Sequence, residues 1–239
     1  SGAAAVRDML AAPSGLTALA ADGETVLETM PALAPAQRGW DSERLTGTDL
    51  TPELAERVRA NFATAAGEAA QPEAEGALRI LDADPRNALR IPFLAATFPQ
   101  SIFVSVHREA EGALVDMLAA WESGDAVTHP ELPGWDGPPW SLLLTPEWRN
   151  LAGSSLAEIA AEQWAMATRI LLTDLERLPP VRWCVVDHAL LGEDPAPEIE
   201  RICEFAGVAS PETISPAPAP PEDEETTCRR GEVSPVTER

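Results

Sequence analysis

Cations are scarce in this chain. Only 17 lysines and arginines face 39 aspartates and glutamates over 239 residues, a formal net charge of −22. That balance excludes a general nucleic-acid or anionic-membrane surface, since both need a cationic face. It still allows one small anionic ligand held by a few local cations. Cysteine is sparse too: Cys184, Cys203 and Cys228 form no CxxC or similar ligand spacing. An odd, scattered set excludes a disulfide framework and fits a reducing, cytoplasmic compartment. No apolar run approaches the roughly 20 residues that cross a bilayer. The opening "SGAAAVRDML" lacks both the cationic and the long apolar part of a secretion signal. It also lacks an initiator Met, which fits either a fragment or a Ser1-Gly2 pair added ahead of the native start. A full GxxxxGK[ST] phosphate loop is missing, so an unrelated P-loop nucleotide enzyme has no support. There are no internal repeats.

What is present is a sizeable core and an alternating pattern. Hydrophobic residues make up 45% of the chain, enough for a packed interior. The first ten or so residues read as a helix, with Val6, Met9 and Leu10 at helical spacing. Residues 52–66 place Leu54, Val58 and Phe62 on one face of an amphipathic helix, and 67–76 read as a loop. "ALRIL" (77–81), "SIFVSV" (101–106) and "VRWCVV" (181–186) read as buried strands. Residues 87–98 begin like a helix that Pro92 interrupts. A helix over 110–121 carries Ala113, Leu114, Met117, Leu118 and Trp121 on one face. Residues 124–150, rich in Gly, Pro and Trp, read as a long ordered loop or lid. Ser155 and Glu158 form a capping box before a helix reaching about residue 178, and a helix over 196–207 is closed by Gly207. Strand–helix alternation predicts an α/β fold: a three-layer parallel sheet with flanking helices. It occupies residues 1–209, and a Pro- and acid-rich tail follows over 210–239.

Three stretches carry a family resemblance: "DADPRNALRIPFLAATFPQSIFVSVHREAEGALVDMLAAW" (82–121), "PELPGWDGPPWSLLLTPEWRNLAG" (130–153) and "AAEQWAMATRILLTDLERLPPVRWCVVDHALLGEDPAPEIERICEFAGV" (160–208). In order and wording they resemble bacterial sulfotransferases that use 3′-phosphoadenosine 5′-phosphosulfate (PAPS), in particular a subgroup with a Trp-rich "LPGWxGPPWSLLL" loop. The resemblance covers roughly residues 1–210. It implies a P-loop-like sulfotransferase fold, PAPS as donor, and a hydroxyl or amine of a small molecule or glycan as acceptor. It implies no metal. It also implies a strand and a loop cation ahead of residue 1, without which the parallel sheet would expose unpaired edges.

The resemblance assigns site residues one by one. Ser1 and Gly2 match the end of the loop that holds the 5′-phosphosulfate, at a helix N-terminus. Arg108, at the exit of the 101–106 strand, matches the arginine that binds the 3′-phosphate. Asp22, in "DGE", matches the acid that serves as general base. Arg229 and Arg230 resemble the C-terminal basic-Gly segment that closes over the cofactor. Four positions depart from the pattern. Ala3 and Ala4 replace two hydroxyls, Ala83 replaces a lysine, and Asp116 replaces a serine that also contacts the 3′-phosphate. Arg86 lies close enough in sequence to Ala83 to stand in for the lysine.

Plainer readings stand beside these. Arg108 could form a surface ion pair with Glu109 or Glu111. Asp22 could be a turn residue before Gly23. His107 and His188 sit at strand ends, where a base could sit or a hydrogen-bonded residue could. His129 has no evident partner. Trp135, Trp140 and Trp148 could shape an acceptor pocket or pack the long loop. Two functions follow: a PAPS-dependent sulfotransferase, or a catalytically silent sulfotransferase-like domain that binds or scaffolds. Ala3, Ala4, Ala83 and Asp116 favour the second; Arg108 and the Trp-rich loop favour the first. Acceptor identity and oligomeric state are not legible.

Overall fold

A computed structural model describes residues 2–11, 15–19, 25–69 and 79–210. Helix α1 (Gly2–Ala11) buries Val6 and Leu10 on one face, the spacing its sequence predicts. Strand β1 (Thr17–Ala18) follows. Helix α2 (Pro52–Ala69) starts on a proline, buries Ala55, Val58, Phe62 and Ala66, and runs into the 67–76 stretch expected as loop. Strand β2 (Ile80–Leu81) lies where "ALRIL" was expected to form one.

Pro92 does not break a helix; it helps to start one. A 3-10 turn (Pro85–Leu89), capped by Asp84 accepting from the Arg86 N–H at 3.0 Å, leads into α3 (Ile91–Thr97), whose first turn holds Pro92. A missing N–H costs nothing in a first turn, because no carbonyl awaits it there. Strand β3 (Phe103–His107) then leads to α4 (Ala110–Ser123).

The Trp-rich stretch folds as a hairpin rather than a plain loop. Strands β4 (Val127–His129) and β5 (Trp140–Ser141) pair antiparallel with a register shift between Val127 and His129. A short 3-10 turn (Trp148–Leu151) follows, then α5 (Leu156–Glu176), which opens with the expected Ser155–Glu158 capping box. Strand β6 (Trp183–Asp187), a short α6 (His188–Glu193) and α7 (Pro195–Ala206) complete the described chain. Gly207 closes α7 in the left-handed region at φ 60°, a conformation that glycine adopts without strain.

The architecture is α/β with parallel strands flanked by helices. Among the described residues the strands form separate ladders rather than one hydrogen-bonded sheet: β1 with β2 and β3 with β6, both parallel, and the antiparallel β4–β5. Side chains from β2, β3 and β6 (Leu81, Val104, Val106, Val186) nevertheless meet in one core with α1, α6 and α7. A second core joins residues 27–45 to α2 and α3 through Leu27, Met30, Phe62 and Phe93. A third, built on Trp121, Trp140 and Trp148, seats the hairpin against α4 and α5. Among the described residues no helix is long and apolar enough to cross a membrane.

Candidate functional site

In a parallel ladder the carboxyl ends of both strands lie at one edge, where open α/β sheets bind ligands. At the β3–β6 edge His107 stands opposite Asp187 in register, and Arg108 follows directly. Glu109 caps α4 without a side-chain hydrogen bond, so the chain turns from strand to helix within two residues. The Arg108 guanidinium lies back along α4 and its Nη1 donates to Asp116 Oδ2. The expected partners for a bland ion pair were Glu109 or Glu111; the partner is the acid two turns into the helix. The pair is open to water, with Arg108 37% and Asp116 62% exposed. Asp187 is engaged elsewhere: its Oδ1 accepts from the Ala189 N–H at 2.9 Å and caps α6. His188 begins that helix.

A second charged group gathers just past β2. Asp84 is 9% exposed and meets two arginines, with Arg86 Nε at 2.9 Å and Arg90 Nη1 at 3.3 Å. Burial pushes the Asp84 carboxyl up, and the Arg90 charge works against that shift. Arg86 also pairs with Glu28. Burial, with the like charge of Arg90 adding to it, pushes Arg86 down to about 10, so it remains a cation at neutral pH. Asn87 Nδ2 donates to Asp82 at 2.8 Å, while Asn87 Oδ1 is buried without a partner. Arg86 is therefore committed to two carboxylates and does not stand free beside Ala83.

Other expected residues are placed as follows. Gly2 is the first residue of α1, and Ala3 and Ala4 lie in its first turn, which therefore carries no side-chain hydroxyl. Ser1, Asp22, Arg229 and Arg230 lie outside the described residues. Trp140 and Trp148 are fully buried and serve packing. Trp135 is half-buried: it lies across Gly137, where a Cβ would come within 2.6 Å of its ring. With Glu131 and four prolines it borders a cavity of about 300 Å³ at the hairpin tip. His129 does have a neighbour, Glu43, whose Oε1 lies 3.3 Å from its Nε2 without a formed hydrogen bond.

The chain matches the family described as "Sulfotransferase family" over residues 1–212. It belongs to that family. Of solved structures, one similar to this sulfotransferase is the "Sulfotransferase Domain from the Curacin Biosynthetic Pathway", at 16% identity and a TM-score of 0.49, covering 89% of this chain and 72% of that one. No curated protein matches it.

Two features of this sulfotransferase were missed in its sequence. The Arg108–Asp116 pairing does carry a signal, since 108, 112 and 116 fall at helical i, i+4, i+8 spacing, one stripe of a helix. Glu43 carries none. It is 3% exposed, its carboxylate accepts from the Leu144 N–H at 3.0 Å, and its own N–H donates to Leu144 O at 2.8 Å. Partners a hundred residues apart in sequence leave no local pattern.

Proposed function

We propose that this sulfotransferase moves a sulfuryl group from PAPS to a hydroxyl or amine of a small-molecule or glycan acceptor, in the cytoplasm. The observation that supports this most directly is Arg108, a guanidinium at the carboxyl end of a parallel strand held, among the described residues, by an exposed ion pair. Such a pair is worth about 0–1 kcal/mol, so a ligand phosphate can displace its partner. A forked guanidinium suits that phosphate. Ser1, Gly2 and the free N–H groups opening α1 would hold the 5′-phosphosulfate. Arg229 and Arg230 would close over the nucleotide, and Asp22 would take the acceptor's proton. PAPS, when bound, supplies the sulfuryl group for in-line transfer. Residues 1–209 would form the working domain and 210–239 an appended tail.

The fit to PAPS is partial, and one observation favours a second reading, a silent binding or scaffold domain. Arg86, the cation nearest to Ala83 along the sequence, is tied to Glu28 and Asp84, and Ala3 and Ala4 offer no hydroxyl. Calorimetric titration with adenosine 3′,5′-bisphosphate, on the wild type and Arg108→Ala, tests the donor site. Saturable binding that is lost in the variant is expected; no binding by a folded chain would overturn the donor-site reading. Sulfuryl transfer from radiolabelled PAPS to a panel of phenols, alcohols, amines and glycans then separates enzyme from silent domain.

A further inference from the structure

We propose that Asp116 is a specificity-determining residue that removes the donor site's preference for a 3′-phosphate and admits nucleotides with a free 3′-hydroxyl. The proposal rests on the reading above, that Arg108 faces the 3′ side of the donor ribose. Arg108, Gly112 and Asp116 share one stripe along α4 and its approach. The guanidinium lies over the helix at Gly112: a Cβ there would sit 3.4 Å from both Nε and Nη2, in ordinary contact. Its far end then meets the Asp116 carboxylate.

The exposed pair is weak enough for a ligand to compete for Arg108. The ligand cannot, however, remove the carboxylate from the stripe. A phosphate dianion gains the guanidinium but is repelled by Asp116, with Glu109, Glu111 and Asp187 adding to the local negative charge. A ribose hydroxyl suits both partners, donating to the carboxylate and accepting from the guanidinium. The same choice, acid for hydroxyl and arginine for phosphate, separates the two kinds of ribose recognition in dinucleotide sites. Beside the 3′-phosphorylated nucleotide, the class so admitted is an adenosine 5′-phosphate or 5′-phosphosulfate bearing no 3′-phosphate.

The test is calorimetric titration of the full chain with adenosine 5′-monophosphate and with adenosine 3′,5′-bisphosphate, on the wild type, Asp116→Ser and Asp116→Asn, each checked for folding by circular dichroism. The wild type is expected to bind the monophosphate at least as tightly as the bisphosphate. Each substitution is expected to raise bisphosphate affinity about tenfold while leaving monophosphate affinity equal or lower. If the wild type prefers the bisphosphate by about tenfold or more and neither substitution changes the ratio, the selectivity role is wrong and the donor site stands. An equal gain for both nucleotides would also overturn it, as a general charge effect. If neither nucleotide binds any folded variant, the donor-site reading falls as well.

Discussion

Asp174 and Asp116 each pair with an arginine, Arg44 and Arg108, and differ in what water does to the pair. Asp174 is 2% exposed, and both of its oxygens are held by Arg44, at 2.8 and 3.1 Å. Arg177 adds a contact at 3.5 Å. Removing one partner of a buried pair leaves an uncompensated charge, so Asp174→Ala is expected to cost about 3 kcal/mol. Arg44 keeps 21% exposure, which holds the cost at the low end of that range. Asp116→Ala removes only an exposed partner and should move stability by less than about 1 kcal/mol. Urea unfolding of both variants checks this; equal losses would mean that exposure does not set the difference. The contrast also bears on function. A pair that contributes little to folding is free to be spent on a ligand, and Arg108 is the residue so placed.

Two elements show how a helix is fixed at its start and clamped in its middle. At the start of α5 the Ser155 N–H and hydroxyl both donate to Glu158 Oε2 at 2.8 Å, which lowers the Glu158 pKa below its ordinary 4.5. A carboxyl lowered on folding contributes stability above its ordinary value and loses it as pH falls through the lowered one. Amide protection in the first turn of α5 should therefore fade below about pH 4, and Glu158→Gln should abolish that dependence. In the middle of α5 Gln163 is 1% exposed and fully used: Oε1 accepts from Trp121 Nε1 at 2.8 Å, and Nε2 donates to Ser141 O at 3.0 Å and Leu143 O at 2.8 Å. Gln163→Leu would strip Trp121 Nε1 of its acceptor and take one donor each from Ser141 O and Leu143 O, the latter keeping Trp140 Nε1 at 3.2 Å and the Thr145 N–H at 3.1 Å; it should cost about 2 kcal/mol, with the emission of Trp121 shifting to the red. Hydrogen bonds of these two kinds mark what sequence reveals. The capping box, the Gly207 stop and the strand runs at 101–106 and 181–186 are local chemistry and were legible as such. The hairpin inside 124–150 was not, because its pairing is secured by Gln163, some twenty residues further along, and by indoles whose packing follows no period. At the site, Arg108 was legible as a strand exit. Its partner was misplaced because Glu109 and Glu111 are nearer along the chain, while helical geometry brings round the residue eight positions on.

At the scale of the whole molecule the excess of acid is the dominant charge feature. A net charge of −22 repels itself more strongly when the chain is compact, which works against folding. Salt acts on this in two opposite ways. It screens the diffuse repulsion, which stabilises, and it screens exposed ion pairs such as Arg108–Asp116 and Arg201–Glu198, which destabilises. The second effect is small, since exposed pairs contribute about 0–1 kcal/mol each. The pairs Arg44–Asp174 and Arg90–Asp84 are anchored on buried carboxylates, where screening is weak. The repulsion therefore governs the sign. Raising NaCl from about 0.01 to about 1 M shortens the Debye length from about 30 to about 3 Å, and Tm should rise throughout, by about 2–4 °C for each kcal/mol recovered. A Tm that falls with salt would mean that surface ion pairs, not net repulsion, dominate the electrostatics of this sulfotransferase. The chain would then be held by its 17 cations more than it is strained by its 39 acids.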